Sequence, residues 1–448
     1  CYQAAIIKQA EFRIAPKDEH GFIKLFMQLQ QANEEIHKKF PKQEQISYGI
    51  IVHFIKQEKL EKLQYGMYRW QNLRELYWVQ TLSLLNYLEK GLRYNDKIVG
   101  IDAANYEAQC RPEVLAPCFR RIRQTVDVSR GIGLTYHVGE AFDALCSGLR
   151  AIDEAICFMN LRRGDRLGHA LALGIDVDAF QKAKRSMVCL TLQNHVDNLA
   201  WLYNIIFHFG KTDEKWYLRY LEEEFRKCCT QLYDKVSVRE FDISDYVDAW
   251  TLRGDDPELY NDDRLLNKFT KNYLSYAFDK DYMINRLDPE HQSAFENESA
   301  RELYRKYLFN VQQFYNGENL INLQLNESYW GAVKVAQRLL REKIYRLELS
   351  IETNPSSNRK ISYIRHFVEL PLLSFNRHYL HGLKEKTGDD LPVSINTDNC
   401  DIFQTDLENE YALIVASLQR EGLDRQEIYD YINYLRESSL LQAFRIPT

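Results

Sequence analysis

Short apolar runs alternate with longer stretches of helical period across residues 1–185. Residues 10–16 read as a strand closed by Pro16, and 21–40 carry a helical repeat. Residues 46–54 are a β-branched run of the kind found in buried strands. Helical periodicity over 73–92 precedes a strand at 97–102. A helix at 112–130 precedes a strand at 131–136, and a helix at 141–160 precedes a short strand at 166–169. This strand–helix alternation predicts a parallel sheet with helical crossovers.

The rhythm stops near residue 186. Residues 186–340 are read as helical, with segments at 198–209, 215–233 and 301–315 and a turn at Arg253-Gly254-Asp255-Asp256-Pro257. Strand patterning returns at 345–351 and 391–396, followed by helices at 406–420 and 425–443. The expected organisation is an α/β chain, a (β/α)₈ TIM-type barrel. Residues 1–185 would supply strands 2–6, and 186–340 a large helical insertion between strands 6 and 7. Residues 341–448 would supply strands 7–8 and the C-terminal helices. The chain opens at Cys1, not Met, almost directly on strand-like residues. The first barrel strand is therefore expected to precede Cys1.

Chemistry-bearing residues end three of the apolar runs. His137 and Glu140 follow Gly131 to Tyr136, His169 ends Arg166-Leu167-Gly168, and Asp398 follows Leu391 to Asn396. In a parallel barrel the strand C-termini surround one pocket. Imidazole and carboxylate are zinc ligands, and a neighbouring glutamate and histidine can move protons. A lone strand-end histidine says little; four such groups at successive strand ends define a candidate site.

Composition narrows the class. The chain has 448 residues, 45% of them hydrophobic, with a net charge of −6. That describes a globular protein with a substantial core and no overall demand for nucleic acid. Nine cysteines without Cys-x-x-Cys spacing suggest reduced thiols and a cytoplasmic location. No apolar run approaches the roughly 18 residues of a membrane span, and no signal peptide is visible. The His-x-Glu and Pro-Cys-x-x-Cys pattern of cytidine-deaminase zinc sites is missing, as are Walker-type loops.

The strand ends resemble the motifs of the adenosine deaminase family. His137-Val138-Gly139-Glu140 is similar to its His-Ala-Gly-Glu, and Arg166-Leu167-Gly168-His169-Ala170 to its Arg-Ile-Gly-His-Gly. Asn396-Thr397-Asp398-Asn399 is similar to its Asn-Thr-Asp-Asp. Val99 to Asp102, Glu352 to Asn358, Phe403-Gln404-Thr405 and Glu410-Tyr411 add weaker matches, so the likeness covers roughly 5–185 and 343–445. The resemblance implies zinc-dependent hydrolytic deamination of adenine to hypoxanthine in adenosine or an adenine nucleotide. His137 and Asp398 would bind zinc. Glu140 would protonate purine N1, His169 would act on the attacking water, and Asp398 would orient it. Asn399, Asn105 and Asp102 would contact substrate. The size of the insertion is also similar to the deaminase subunit of the bacterial RADAR anti-phage defence system. That likeness implies a large homo-oligomer, a partner ATPase and a role in defence.

Three departures qualify the resemblance. The family's His-x-His on the first strand has no counterpart here, so two further histidine ligands are expected before Cys1. Asn399 replaces the family's second aspartate, and its amide can still donate to purine N7. Asn105 stands at the family's glycine near the end of the fourth strand, which questions a backbone contact to purine N3. RNA is left open as a substrate. The rival reading is a catalytically degenerate barrel serving as an oligomeric scaffold or nucleotide-binding protein.

Other residues favour blander readings. His53 is expected to be structural or to support the site, and His195, His208 and His291 to be surface or packing residues. Cys400 is expected to be a buried thiol. Asn354, Ser357 and Asn358 either touch substrate or cap a helix. The lysines at 38, 39, 42, 56, 59 and 62 are expected on solvated faces.

Overall fold

The computed structural model describes residues 9–41, 45–58, 62–91, 94–126, 131–233, 240–261, 292–361, 369–383 and 390–444. Its centre is a curled, parallel, seven-stranded sheet. The strands are β1 (Gln9–Ile14), β2 (Ser47–Lys56), β3 (Ile98–Asn105), β4 (Gly133–Val138), β5 (Arg166–His169), β8 (Ser350–Thr353) and β9 (Val393–Ile395), in that spatial order. Among the described residues no ladder joins β1 to β9, so the sheet is an open half-barrel. The interior strands are buried on both faces. Ile50, Ile51 and Val52 of β2 are 0% exposed, as expected of a parallel sheet covered by helices.

Helix starts are marked by a polar cap in some cases and by proline in others. Asp18 caps Glu19–Lys39 by accepting from the Gly21 N–H at 2.7 Å. Pro112 opens Pro112–Thr125, a position where its missing N–H costs nothing. At the end of the half-barrel opposite the strand C-termini, the Phe444 ring lies on the bare backbone of Gly100 and Gly133. A Cβ on Gly133 would come within 2.2 Å of that ring. The Arg166 guanidinium covers the ring from inside at 3.7 Å.

The mostly helical insertion also holds two strands that the sequence reading did not place. β6 (Met187–Thr191) pairs antiparallel with β7 (Leu320–Gln324), from Met187↔Gln324 to Thr191↔Leu320. The excursion therefore leaves and returns through one two-stranded ribbon. The period-two alternation of Met187 to Thr191 is too short to outweigh the helical residues beside it. The expected strand at 345–351 is also corrected. The helix Glu327–Arg346 runs through Tyr345, Glu348 turns the chain at φ 52°, and β8 begins only at Ser350. His378 and His381, the nearest-spaced histidines, lie in turns after Pro371–Phe375. The helix expected from Ala141 begins at Leu145, because the intervening residues form the loop that carries Glu140.

The insertion shares the barrel's core. Trp201 and Trp330 belong to the same buried cluster as Ile50 and Val52. Charged side chains also stitch the seam. Arg150, on the barrel helix Leu145–Phe158, donates to Asn198 at 2.9 Å and Asn194 at 3.0 Å on the insertion helix Leu192–Phe209. Asp153 accepts from the Trp201 indole at 2.8 Å.

His195 sits in this seam, buried against Tyr329. Burial pushes its imidazole down to about 4 from an ordinary 6.5. The folded state thus holds His195 neutral, and the unfolded chain takes the proton first. Its contribution is fully present above pH 6.5 and lost as the pH falls from 6.5 toward 4. The loss is on the order of 3 kcal/mol. Urea midpoints measured across that window should fall more steeply for wild type than for His195→Phe. Equal slopes would remove His195 from the account.

The described cysteines 110, 118, 146, 157, 189, 228 and 229 are free thiols. No helix among the described residues is long and apolar enough to cross a membrane. His208 is exposed, whereas His291, Lys42 and Lys59 lie outside the described residues.

Candidate active site

Parallel register brings the candidate groups to one level. His53 pairs with Asp102 across β2 and β3, His137 with Gly168 across β4 and β5, and Gly168 with Glu352 across β5 and β8. Gly168 is required by this packing, since a Cβ there would meet the His137 ring at 2.9 Å. His137 and His169 consequently stand with ring centroids 5.0 Å apart.

Asp102 organises the left side of the site. It is 0% exposed. Its Oδ1 lies 3.0 Å from His137 Nδ1, and its Oδ2 is 2.8 Å from both His53 Nδ1 and Arg13 Nε. Burial opposes ionisation, but His137, His53 and Arg13 together hold this carboxyl well below its usual range. The Asp102 oxygens fix His137 and His53, at the residue for which the resemblance implies a substrate contact. With Nδ1 directed to a carboxylate, His137 is left with Nε2 for a ligand, the arrangement common in metal-binding histidines. His53 takes the supporting position foreseen for it.

His169 and Glu140 form the other side. His169 Nδ1 is 2.6 Å from Asn358 Oδ1, an acceptor, which places the proton on Nδ1 and leaves Nε2 basic. Asn354 Nδ2 lies 3.3 Å from that Nε2. Glu140 Oε1 is 3.4 Å from His169 Nδ1. Burial raises the Glu140 carboxyl; His169 opposes this and the nearby Glu107 adds to it. Burial alone would lower His169, but Glu140, Asn358 and Asp398 raise it. A carboxyl inclined to keep its proton thus faces a histidine inclined to take one.

Asp398 and Asn399 form the exposed rim after β9. Ser357 Oγ donates to Asp398 Oδ2 at 2.7 Å. Asn399 Oδ1 accepts from the Ile402 N–H at 3.0 Å. The Asn399 amide oxygen is thus used in capping the short helix that follows. Asn105 is also exposed and takes φ 89°, a conformation that favours glycine and that asparagine tolerates. His169, Ala170 and Asp398 have φ of 60°, 46° and 56°. Such positive-φ residues cost about 1–3 kcal/mol each and gather at functional sites. Cys400 opens the short helix Cys400–Phe403, and its side chain lies outside the described residues.

A chain of charges inside the half-barrel was not foreseen. Arg166 bonds Glu11 Oε2 at 2.9 Å and lies 2.9 Å from Glu352 Oε1; Glu352 also bonds Arg13, which holds Asp102. Burial opposes the charge on Glu352, but Arg13 and Arg166 keep its carboxyl below the usual range. The overlooked signal was Glu11-Phe12-Arg13. Residues two apart on a strand share a face, and β1 directs both charges inward.

The donor chemistry at His137 suits a metal. However, among the described residues no group of three His, Cys, Asp or Glu side chains converges on a point where a metal could be held. The described residues do not by themselves complete a metal centre.

No protein-family model matches the chain, and no curated protein matches it. Among solved structures, the chain is similar to the crystal structure of an adenine deaminase from Arthrobacter aurescens. The likeness covers 98% of this chain and 76% of that one, at 10% sequence identity and a TM-score of 0.32. No functional conclusion is drawn from a likeness this distant.

Proposed function

We propose that the chain catalyses hydrolytic deamination of adenine in a nucleoside or nucleotide. One observation carries this reading: the buried Glu140 carboxyl set 3.4 Å from His169, beside His137 on its Asp102 anchor. Water adds to purine C6 while Glu140 gives a proton to N1. That protonation makes C6 electrophilic at the moment of attack. His169 takes the proton of the attacking water and returns it to the amino group. The C6–N bond breaks and ammonia leaves; the C6 hydroxyl returns a proton to Glu140 as its C=O forms, and hypoxanthine remains.

Zinc is the expected cofactor in this reading. His137 Nε2 and Asp398 would be two of its ligands, and the set would need two further histidines. A bound zinc supplies the Lewis acidity that makes water a nucleophile near pH 7. Asp102→Asn is then expected to weaken zinc retention about 10- to 100-fold in chelator competition. Retention equal to wild type would show that Asp102 does not tune a ligand.

Ammonia release from adenosine, AMP, ATP and an adenine-containing RNA tests the function and orders the substrates. Release from none of them favours the rival scaffold or nucleotide-binding reading, which is supported by the incomplete donor set among the described residues. The likeness to RADAR, with its homo-oligomer, partner ATPase and defence role, rests on the motifs and the size of the insertion.

A further inference from the structure

Two buried charges grip the turn that carries Glu140, and neither belongs to the motifs that single out this site. Gly139 takes φ 71°, so the N–H groups of residues 139–141 converge into a concavity suited to an anion. The Glu107 carboxylate fills it. Glu107 Oε2 accepts from Gly139 N–H at 2.7 Å; Oε1 accepts from Glu140 N–H at 3.1 Å and, at longer range, from Ala141 N–H at 3.4 Å. Glu107 is 8% exposed.

Lys56 grips the same turn at its start. It was expected on a solvated face, yet it is 1% exposed. It ends β2 pointing inward, where its Nζ donates to the His137 carbonyl at 2.5 Å and lies 4.1 Å from the centre of the Tyr136 ring. Across the sheet Lys56 pairs with Asn105, two residues before Glu107. Two neighbouring strand ends therefore deliver a cation to the carbonyl side of the turn and an anion to its N–H side.

We infer that Lys56 and Glu107 are positioning residues: they clamp the His137–Ala141 turn between opposite charges and fix the Glu140 carboxyl against His169. The two charges compensate each other in a buried setting where either alone would be costly. Their hydrogen bonds to backbone are charge-assisted and stronger than neutral ones. The catalytic consequence rests on the deamination reading, while the clamp itself does not.

Glu107→Gln is the test. It nearly preserves volume but places an NH₂ where one N–H must be accepted. Amide hydrogen exchange at Gly139 and Glu140 is expected to accelerate on the order of 10- to 100-fold. Turnover is expected to fall about 100-fold with KM little changed, because a displacement of about 1 Å is enough for such a loss. Lys56→Met should lower turnover in the same direction, and Lys56→Arg should recover part of it. Unchanged exchange in folded Glu107→Gln overturns the clamp. Accelerated exchange with unchanged turnover overturns its positioning role. If Glu107→Gln does not fold, wild-type exchange decides: Gly139 and Glu140 amides no slower than those of Phe142 and Asp143 would overturn the clamp. Wild type that releases no ammonia refutes the deamination reading and leaves the exchange result standing.

Discussion

Glu140→Gln is expected to lower ammonia release from adenine substrates by about 10²- to 10⁴-fold, the usual worth of a positioned general acid. Glutamine keeps the volume and a donor for N1, but it cannot deliver a proton. The side chain is only 19% exposed. Burial raises the carboxyl and Glu107 adds to this, while His169 pulls the other way. The competent form is the protonated one. Its folded-state pKa is raised above the ordinary carboxylate value, so Glu140 stays competent to higher pH than an exposed glutamate, and turnover falls as the pH rises through that pKa. The alkaline fall attributable to Glu140 should disappear from the residual activity of Glu140→Gln. A variant with wild-type turnover, or with the same alkaline fall, would take the proton transfer away from Glu140.

The second large effect is on stability. Asp197 is 2% exposed. It receives Arg253 through two hydrogen bonds at 2.7 and 2.8 Å, the Tyr246 hydroxyl at 2.7 Å and the Gln193 amide at 2.9 Å. Arg150 approaches it at 3.5 Å from the barrel side. Burial disfavours the Asp197 charge, but Arg253 and Arg150 hold its carboxyl far below the usual range. Asp197→Ala leaves the buried Arg253 guanidinium short of its counter-charge, while Arg150 keeps Glu154. Breaking a buried pair this way costs about 3–5 kcal/mol. Asp197→Ala should therefore lower the urea midpoint strongly. The double variant Asp197→Leu/Arg253→Met should lower it less, because it removes both charges. Equal losses would mean that packing, not the ionic pair, holds the seam.

Both predictions depend on contacts whose visibility in the sequence differs. Glu140, His137, His169 and Asp398 were legible because each follows a short apolar run, and a strand end has a defined place in a parallel sheet. Asp102 was found, but its hold on His137, His53 and Arg13 was not. Strand periodicity shows which face a residue takes, not that Arg13 and His53 already occupy its carboxylate. Lys56 was misread because a lysine between Ile55 and Gln57 looks like an ordinary solvated residue. Its partners, the carbonyl of His137 and the carboxylate of Glu107, come from distant parts of the chain. The Arg253–Asp197 pair spans 56 residues, and no local pattern announces it. The β6–β7 ribbon was missed for the same reason, since its two short strands are separated by the whole excursion they close.

The central claim is that the groups at these strand ends move protons for the hydrolytic removal of an adenine amino group. It is tested most directly by incubating wild type and His137→Ala with adenosine and ATP, in the presence of zinc and in ¹⁸O-labelled water. The account predicts that wild type releases one ammonia for each hypoxanthine product and places the label at C6, while His137→Ala does neither. Zinc-loaded wild type that yields no labelled product from either substrate, or a His137→Ala variant that matches wild type, would contradict it.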